Sequence, residues 1–406
     1  MKVAYVVVRE NLNDALIVSQ VVDVLESLNK NSKSDDDRCD LIWFYRIDTF
    51  FQMGFKAFRQ VSVELQAKGI RLRPLPFIGG KFPIKAGWLP LMIVQLAPML
   101  CYLSLRFSYK CFHARSYHAG VVVALVSRIL RRNFIFDPRS PMPEESVAAG
   151  VWKRGSRNFL VWKKLESMVV ERSSRTLVTS PFFADLYCNG IAKTKCVVVP
   201  NNYPKSFDSQ QKVFSKENTS YDFVYVGSFG HWNNPLQYLR FLRDINRISG
   251  RQMRCLFVVR GETQRLVHLN ADEEGVCSEL FDVVSLEQTE IPAALAHCKF
   301  GLYFMENDDP RLGVKTTEYL RLGVPVIVSS SIQGAAQVIS QNSLGICWDF
   351  SADSLKEVMT FVDETATDLE LRESCCVFAR NNYSAESVGR QLRAVYRSSV
   401  VENHEP

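Results

Sequence analysis

The sequence predicts an α/β protein with two doubly wound parallel sheets, and three observations lead to this prediction. Short apolar segments alternate with helical patterns from the amino terminus to about residue 202. A polar stretch without periodicity runs from 203 to 220, and the alternation then restarts. Such alternation is typical of parallel sheets that carry helices on both faces. A chain of 406 residues is also longer than one typical core, so we expect two domains.

The first domain is predicted over residues 1–205. Its strands are short runs rich in apolar and β-branched residues, at 3–8, 41–45, 70–75, 111–114, 134–137, 176–179 and 196–199. Helical patterns lie between them, at about 13–29, 56–68, 117–131 and 159–172, and Pro181 is placed to begin a further helix.

The linker is predicted at 206–220 and the second domain at 221–383. The strands of this domain are predicted at 223–226, 253–259, 281–285, 300–304, 324–328 and 345–348, with helices at 235–248, 289–297 and 314–322. From 355 onward the pattern is helical, and we expect the last helix, about 384–406, to pack back on the first domain. Sites in such sheets lie beyond the carboxyl ends of the strands, so two facing sheets would place the site in a cleft.

The composition excludes some classes of protein. The net charge of +6 is too small for a dedicated nucleic-acid binder, although it is compatible with anionic substrates and an anionic membrane surface. The eleven cysteines show no C-x-x-C pair, so we expect free thiols rather than a zinc site or a disulfide framework. The apolar segment 88–107 contains Pro90 and Pro98, and we interpret it as a buried or membrane-surface helix rather than a membrane span.

The segment 313–329 is the candidate functional site. It reads as a turn at Gly313, a short helix, a second glycine at Gly323 and a buried strand. Lys315 and Glu318 are three residues apart, so they share a face in the first helical turn, where free backbone N–H groups favour anions. This arrangement suits a nucleotide, with phosphate on the amides and Lys315 and sugar hydroxyls on Glu318. The two residues could equally form a solvated pair on an ordinary helix of an α/β domain.

Several segments, in the same order along the chain, resemble retaining glycosyltransferases of the GT-B architecture, the bacterial family-4-like type also called glycosyl transferases group 1. Residues 313–329 resemble their K-x-x-E-Y-L-x-x-G-x-P-V-I block, and 225–232 resemble their first donor-domain loop. The segments 112–118 and 134–140, followed by Glu144 and Glu145, are similar to their H-A-R-S and F-D-x-R-G pair, and 198–202 resembles their V-I-P-N segment. The resemblance implies two Rossmann-like domains that face each other across a cleft.

The resemblance also implies an activity. The enzyme would transfer a sugar, with retention, from a nucleotide-sugar donor to a glycan or lipid-linked glycan acceptor, with no cofactor and no metal. Enzymes of this type commonly build cell-surface polysaccharide or lipopolysaccharide, so we expect a cytoplasmic protein that can be peripheral at the inner face of the cell membrane. The alternatives are a nucleotide-sugar epimerase on the same fold and a non-catalytic two-domain sugar-binding protein.

On the donor side, the resemblance assigns Lys315 to the diphosphate, where it would stabilise the leaving group, and Glu318 to the ribose hydroxyls. The other predicted donor residues are Gly227, Ser228, Gly230, Val314 and Thr316, with His231 and Trp232 facing the base or the sugar.

Two departures from the family pattern concern charge. Arg311 occupies the position, seven residues before Glu318, where many relatives have a second carboxylate. Ser228 follows Gly227 where many relatives have an arginine, so Arg260 or Arg311 would supply the missing charge. We interpret Asp308 and Asp309 as a solvated turn rather than as metal ligands.

On the acceptor side, the resemblance points to His113 and Arg115 as catalytic residues at the end of a strand. A neutral histidine can donate to a sugar hydroxyl, and arginine can hold a phosphate. Asp137 and Arg139 would form an orienting ion pair or contact the acceptor, and Glu144 lies just beyond them. The alternatives are a satisfied loop histidine and a surface arginine, and we interpret His118 as a core or surface residue.

Overall fold

The computed structural model describes residues 2–30, 32, 34, 37–79, 85–187, 195–209, 220–230 and 233–401. The chain divides into two compact units. The first contains the described residues of Met1–Val199 and Ala385–Pro406, and the second contains those of Pro200–Ser384.

The first unit is built on a parallel sheet of seven strands. They are β1 (Val3–Val8), β2 (Cys39–Arg46), β3 (Leu72–Phe77), β4 (Cys111–Arg115), β5 (Asn133–Asp137), β6 (Arg175–Val178) and β7 (Cys196–Val198). Their order is β3-β2-β1-β4-β5-β6-β7, so the chain reverses direction across the sheet between β1 and β4. In open parallel sheets, binding sites lie beyond the carboxyl ends of the strands at such a switch point.

Helices connect these strands. They are α1 (Ala15–Ile17), which continues through a π-helical turn (Val18–Asp23) into α2 (Val24–Lys30), then α3 (Ile47–Ala67), α4 (Leu89–Phe107), α5 (Ser116–Leu130), α6 (Met142–Ala148), α7 (Arg157–Arg172) and α8 (Pro181–Tyr187). A 3₁₀ turn, Ala86–Trp88, precedes α4. Side-chain caps explain two of the starts, because Asp14 accepts from the amide of Leu16 and Ser156 from the amide of Phe159.

The described ranges contain one helix, Ala86–Phe107, that is long and apolar enough to cross a membrane by length and composition alone. One face of α4 is buried against the sheet, through residues that include Met92, Leu96 and Leu100. The other face leaves Val94 and Leu105 about two-thirds exposed, at 70% and 67%.

The last helix, α16 (Ala385–Val401), belongs to the first unit. Its side chains Val388, Leu392 and Val395 join the buried cluster that α2 forms on one face of the sheet. Helices α4, α5 and α7 cover a second cluster on the other face. The sheet is therefore covered on both faces.

The second unit is built on a parallel sheet of six strands. They are β8 (Tyr221–Gly227), β9 (Cys255–Val259), β10 (Phe281–Val284), β11 (Cys298–Tyr303), β12 (Val326–Ser329) and β13 (Gly345–Trp348). Their order is β10-β9-β8-β11-β12-β13, so the switch point lies between β8 and β11. The helices are α9 (Pro235–Ser249), α10 (Gly261–Glu274), α11 (Ile291–Leu295), α12 (Val314–Arg321), α13 (Gln333–Gln341), α14 (Ala352–Thr365) and α15 (Leu369–Tyr383).

The region between the units differs from the predicted linker at its start. Lys205–Asp208 forms a 3₁₀ turn, and residues 210–219 lie outside the described residues. Tyr203 and Phe207 are fully buried in the core of the second unit, and Asp208 pairs with Arg321 at 3.0 Å. Residues 200–205 therefore group with the second unit rather than the first, because these two aromatic side chains anchor them there.

The cysteines also differ from expectation at one position. Nine described cysteines are free thiols, and five of these are buried. Cys196, at the start of β7, is disulfide-bonded.

Candidate functional site

The amino end of α12 is held by side chains that tie it to the switch point of the second sheet. The Tyr319 hydroxyl accepts from the amide of Val226 in β8 at 2.9 Å and lies 3.3 Å from the carbonyl of Leu302 in β11. The side-chain amide of Asn201 donates to the carbonyl of Leu312, which lies just before the helix, at 2.9 Å. These contacts fix where the first turn of α12 lies relative to both strands.

Lys315 reaches from this turn to the end of β8. A Cβ atom at Gly227 would lie 2.6 Å from Lys315 Cε and 2.9 Å from Nζ, so a side chain at this position would displace the tip of the lysine. The ammonium lies 5.3 Å from the ring centres of both Tyr225 and Tyr303, within the range of cation–π attraction. In the described part of the chain, no carboxylate lies within 4.0 Å of Lys315 Nζ, so the charge is available to a ligand.

The pKa values of Lys315 and Glu318 both move towards neutrality. Burial lowers the pKa of Lys315 to about 8, an effect that Glu318 opposes and Arg311 assists. Burial raises the pKa of Glu318 to about 7, and Lys315 opposes that shift. Within the described residues neither side chain forms an ion pair, and such a partly desolvated cation and carboxylate are typical of binding sites for charged ligands.

The first turn of α12 adds further hydrogen-bonding groups. The N-cap residue, Gly313, offers no side-chain acceptor to the free amides of the turn. The Thr316 hydroxyl is buried and has no hydrogen-bond partner among the described residues. With Lys315 beside them, these groups can bind an anion such as a phosphate.

The other predicted donor-side residues have varied surroundings. Ser228 is exposed, and its carbonyl accepts from the Tyr225 hydroxyl at 3.0 Å. Arg260 is exposed at the start of α10, beyond the carboxyl end of β9. Val314 is partly buried in the first turn of α12, whereas His231 and Trp232 lie outside the described residues.

Arg311 is engaged by a carboxylate. Its Nε donates to Asp309 Oδ1 at 2.8 Å, and its Nη2 donates to Asp309 Oδ2 at 2.9 Å. Asp309 is only 4% exposed, so it is not part of the solvated turn that the sequence predicted. Because this pair is bidentate, Arg311 is less available for a phosphate than Arg260 is.

Gly227→Ala tests the approach of Lys315 to β8. The added Cβ would displace the lysine tip, and displacements of about 1 Å can cost about 100-fold in rate, so we expect a fall of that order in kcat/KM. Because Gly227 has a φ of 145°, where any L side chain is strained, the matched control is Gly250→Ala, at a φ of 63° and with nothing within 4 Å of the added Cβ. In a double-mutant cycle with Lys315→Met, Gly227→Ala should cost clearly less than it does in the wild type, and the remaining loss reflects its backbone strain. Additive losses would contradict the contact.

In the first unit, His113 lies in a buried network at the end of β4. Its ring stacks on Tyr5, and burial lowers its pKa, so the imidazole is neutral near pH 7. Because a carboxylate only accepts, Nε2–H of His113 donates to Asp137 Oδ2 at 3.3 Å, and the Tyr396 hydroxyl donates to Nδ1 at 2.8 Å. Both ring nitrogens are engaged inside the unit, which differs from the predicted contact with substrate.

Asp137 and Arg139 form the ion pair that was one of the two predicted arrangements. Arg139 Nη1 lies 3.3 Å from Asp137 Oδ2. Burial alone would raise the pKa of Asp137, but Arg139 and the hydrogen bond from His113 lower it to about 2. The carboxylate is therefore ionised at neutral pH and links His113 to Arg139.

Arg115 is 2% exposed, which also differs from a surface position. Its Nε donates to Glu10 at 2.7 Å, and its Nη2 donates to Gln20 at 2.9 Å. Arg115 therefore supports Glu10, but its buried Nη1 has no hydrogen-bond partner among the described residues, and its contact with a phosphate stays a prediction.

A cavity of about 300 Å³ opens beside these networks at the carboxyl ends of β1, β4 and β5. Its lining includes Arg9, Glu10, Ser116 and Arg139, of which Arg139 was predicted from the sequence. Arg9, Ser116 and Arg139 have φ values of 74°, 68° and 63°, in the left-handed region that non-glycine residues seldom occupy. Such strain concentrates at functional sites, so this cavity is the candidate acceptor side.

Two further predicted residues can be placed. Glu144, in the first turn of α6, pairs with Lys163 at 2.9 Å and is not among the described residues that line this cavity. His118 lines the cavity but is 2% exposed and packs edge-on against Trp162, in agreement with a core residue.

The sequence analysis missed Arg9 and Glu10. Both follow directly after the apolar strand 3–8, and His113 and Arg115 lie at the end of the strand 111–114. The argument from polar residues at strand ends, which selected His113 and Arg115, could therefore have selected Arg9 and Glu10. Within the described ranges, no group of three or more His, Cys, Asp or Glu residues is arranged to hold a metal ion. Metal independence stays a prediction.

Two family descriptions match the chain. The family described as "Glycosyl transferases group 1" matches residues 206–381, and the one described as "Glycosyl transferase 4-like domain" matches residues 54–202. Together they cover most of both units. No curated protein has a sequence that matches this chain.

Solved structures share the fold along almost the whole chain. A glycosyltransferase from Rickettsia africae ESF-5 is 13% identical, with a TM-score of 0.69 over 98% of this chain and 98% of its own. Anabaena Alr3699/HepE in complex with UDP is 15% identical, with a TM-score of 0.63 over 98% of this chain and 100% of its own. The lipopolysaccharide outer core galactosyltransferase WaaB, in its apo form, is 10% identical, with a TM-score of 0.63 over 98% of this chain and 100% of its own. The prediction of two Rossmann-like domains is confirmed.

Proposed function

We propose that this chain, which belongs to the glycosyl transferases group 1 family, moves a sugar from a nucleotide-sugar donor to a glycan or lipid-linked glycan acceptor with retention. The observation that carries the proposal is the contact of Lys315 with Gly227 at the uncapped start of α12. A cation and free amides there suit a diphosphate, and Glu318, one turn further on, suits the ribose. HepE, which has been solved with UDP, supports a nucleotide as the ligand.

The transfer step is proposed to take the front-face course that the family resemblance implies. The bond between the anomeric carbon and the β-phosphate oxygen breaks, and the leaving diphosphate gains negative charge. Lys315 and the amides of α12 stabilise that charge more in the transition state than in the ground state. The acceptor hydroxyl forms the new bond on the same face of the sugar, and its proton passes to the departing phosphate oxygen.

The acceptor is proposed to bind the cavity at β1, β4 and β5 in the first unit. Arg139 lines that cavity. His113 and Asp137 act through Arg139, because the His113–Asp137 pair holds the guanidinium of Arg139 in place. Arg115 does the same for Glu10. We therefore treat His113, Arg115 and Asp137 as positioning residues.

We further propose a role in cell-surface polysaccharide or lipopolysaccharide synthesis, in the cytoplasm and at the inner face of the membrane. The fold that the chain shares with WaaB supports the pathway class. The exposed apolar face of α4, which includes Val94 and Leu105, is a surface that could rest on lipid and on the chain of a lipid-linked acceptor.

A screen of nucleotide sugars tests the proposal. Purified protein is heated with UDP-, GDP- and ADP-sugars, and a donor that binds the native state should raise the melting temperature by mass action. Transfer to a glycan acceptor should then persist in EDTA, because no metal is required. If no nucleotide sugar shifts the melting temperature, the proposed function is contradicted, and if magnesium restores activity lost in EDTA, metal independence is contradicted.

The same assay separates the alternatives. A transferase releases nucleoside diphosphate in step with transfer to the acceptor. An epimerase would convert the donor without an acceptor, and a non-catalytic sugar-binding protein would bind the donor and leave it unchanged.

A further inference from the structure

The terminal helix α16 carries a buried hydroxyl, that of Tyr396, beside the strands of the first sheet. Tyr396 is 4% exposed, and its ring packs in the apolar cluster that α16 shares with β1, β2 and α2. Burial raises the pKa of Tyr396, so the hydroxyl keeps its proton and can donate a hydrogen bond at neutral pH. A phenylalanine would fill the same space in this cluster, so apolar packing alone does not require the hydroxyl.

Polar contacts on both sides of Tyr396 fix the position of α16 along the sheet. Before it, the guanidinium of Arg393 donates to the carbonyl of Leu28 in α2. After it, the side-chain amide of Asn133, the first residue of β5, donates to the carbonyl of Ser399. The helix cannot slide along the sheet without breaking both contacts, so the Tyr396 hydroxyl is held at one place.

A chain of hydrogen bonds leads from this hydroxyl to the cavity at β1, β4 and β5. The hydroxyl donates to Nδ1 of His113 at 2.8 Å, and Nε2–H of His113 donates to Asp137 Oδ2 at 3.3 Å. Asp137 pairs in turn with Arg139, which lines the cavity. The ionised carboxylate sets the direction of the chain, because it only accepts and so leaves Nδ1 of His113 as the acceptor for Tyr396.

The orientation of the His113 ring depends on partners for both of its nitrogens. The residue is 1% exposed and its ring stacks on Tyr5, with 4.1 Å between the ring centres, so bulk water cannot replace a lost partner. Without the Tyr396 hydroxyl, Nδ1 would be buried and unsatisfied, which costs free energy. The ring would relieve that cost by turning, and the hydrogen bond that helps to hold the Asp137 carboxylate against Arg139 would weaken.

We propose that Tyr396 is a positioning residue for the acceptor, because through His113 and Asp137 it fixes the guanidinium of Arg139 at the cavity. The inference rests on the proposed function, since it assumes that the acceptor binds in this cavity. Tyr396 is not among the described residues that line the cavity, so it acts only through the other members of the chain. The acceptor site therefore depends on the last helix of the protein.

The experiment compares Tyr396→Phe with Tyr109→Phe. Tyr109 is the matched control, because it is a fully buried tyrosine of the same unit whose hydroxyl donates to the buried Asp40 at 2.6 Å. Neither Tyr109 nor Asp40 is among the described residues that line the cavity. Steady-state kinetics use the donor that the nucleotide-sugar screen identifies, with octyl glucoside, octyl galactoside and octyl mannoside as acceptors. Arg139→Met is measured in parallel, because it tests the acceptor site itself.

We expect Tyr396→Phe to raise the KM for the acceptor by about threefold to tenfold, the usual cost of one neutral hydrogen bond, with an unchanged KM for the donor. Both tyrosine variants should lower the melting temperature, because each loses a buried hydrogen bond. Tyr109→Phe should nevertheless keep the acceptor KM of the wild type.

A spectroscopic measurement tests the contact without any substrate. The protein has six histidines, so the ring signals of protein labelled with isotopic nitrogen in histidine can be assigned, and His113→Gln identifies those of His113. In the wild type, Nδ1 of His113 should be unprotonated and shifted by the hydrogen bond that it accepts. Tyr396→Phe should move this signal towards that of a free acceptor nitrogen. A protonated Nδ1 in the wild type would overturn the inference, even if Tyr396→Phe fails to fold.

The kinetic outcomes separate the inference from the proposed function. If Arg139→Met raises the acceptor KM and Tyr396→Phe does not, the positioning role is overturned while the acceptor site stands. Equal rises in the two tyrosine variants would also overturn it, since the effect would then come from lost stability. If neither Arg139→Met nor Tyr396→Phe changes the acceptor KM, the acceptor binds elsewhere and the inference fails. If the wild type transfers sugar to none of the three acceptors, the proposed transfer to a glycan fails, and this inference fails with it.

Discussion

Replacing Lys315 with methionine should lower kcat for sugar transfer by about 10²–10³-fold, the usual cost of removing one group that stabilises charge in a transition state. Methionine keeps much of the lysine's length and packing against Tyr225 and Tyr303, so the change removes mainly the charge. The measurement is steady-state kinetics with the donor that the nucleotide-sugar screen identifies.

The loss in Lys315→Met should not come from unfolding. Burial lowers the pKa of Lys315 to about 8 in the folded state, below its ordinary value of 10.5. A base whose pKa is lower in the folded state destabilises the fold at pH values below its unfolded pKa, so losing it should not lower the melting temperature. Lys356→Met, at an exposed lysine on α14, is the matched control for activity. Equal activity of the two variants would remove Lys315 from the mechanism.

The second large effect is expected from Glu318→Ala, which should raise the KM for the donor by about 10- to 100-fold. One hydrogen bond to a charged group contributes about 1.5–3 kcal/mol, which corresponds to about 10- to 100-fold in affinity. Glu357→Ala, an exposed glutamate on α14, is the matched control. An unchanged donor KM in Glu318→Ala would show that the ribose lies elsewhere.

The pH dependence of kcat/KM gives an independent check on both residues. Glu318 has a pKa raised to about 7, so its carboxylate is lost as the pH falls through 7 and donor binding should weaken. Lys315 has a pKa lowered to about 8, so its charge in the free enzyme is lost as the pH rises through 8. The profile should be bell-shaped, and Glu318→Gln should remove its acidic limb and move the alkaline limb to lower pH, because Glu318 opposes the lowering of the Lys315 pKa.

In the second unit the sequence predicted which side chains share the first turn of α12, because that information is local. Gly313, Lys315 and Glu318 lie within six residues, and the helical period alone brings the last two onto one face. The structure adds the partners that the sequence could not place. Gly227 approaches Lys315 from a strand that ends more than eighty residues earlier.

The first-unit site was predicted less well, because the contacts of His113 are distant in sequence. The ring nitrogen of His113 contacts Tyr396, which is 283 residues away on α16. A strand-end histidine can face either a ligand or a neighbouring helix, and its own segment does not distinguish the two. The burial of Arg115 has the same cause, because Glu10 and Gln20 belong to other elements of the unit.

The helices that the sequence did not predict are mainly those with weak amphipathic patterns. The segment 261–274 carries scattered charges and no clear apolar stripe, so α10 was not predicted. Helix α3 begins at Ile47 rather than near 56. It consists of two helical pieces on either side of Gly54, whose φ of 75° interrupts the helix. A break of that kind hides the period that a continuous helix would show.

The central claim is that a nucleoside diphosphate binds at the start of α12, and a crystal structure of the protein with UDP, GDP or ADP tests it most directly. The account predicts phosphate oxygens at about 2.7–3.2 Å from Lys315 Nζ and from the first amides of α12, with a ribose hydroxyl on Glu318. A diphosphate bound elsewhere, with Lys315 still packed between Tyr225 and Tyr303, would contradict it.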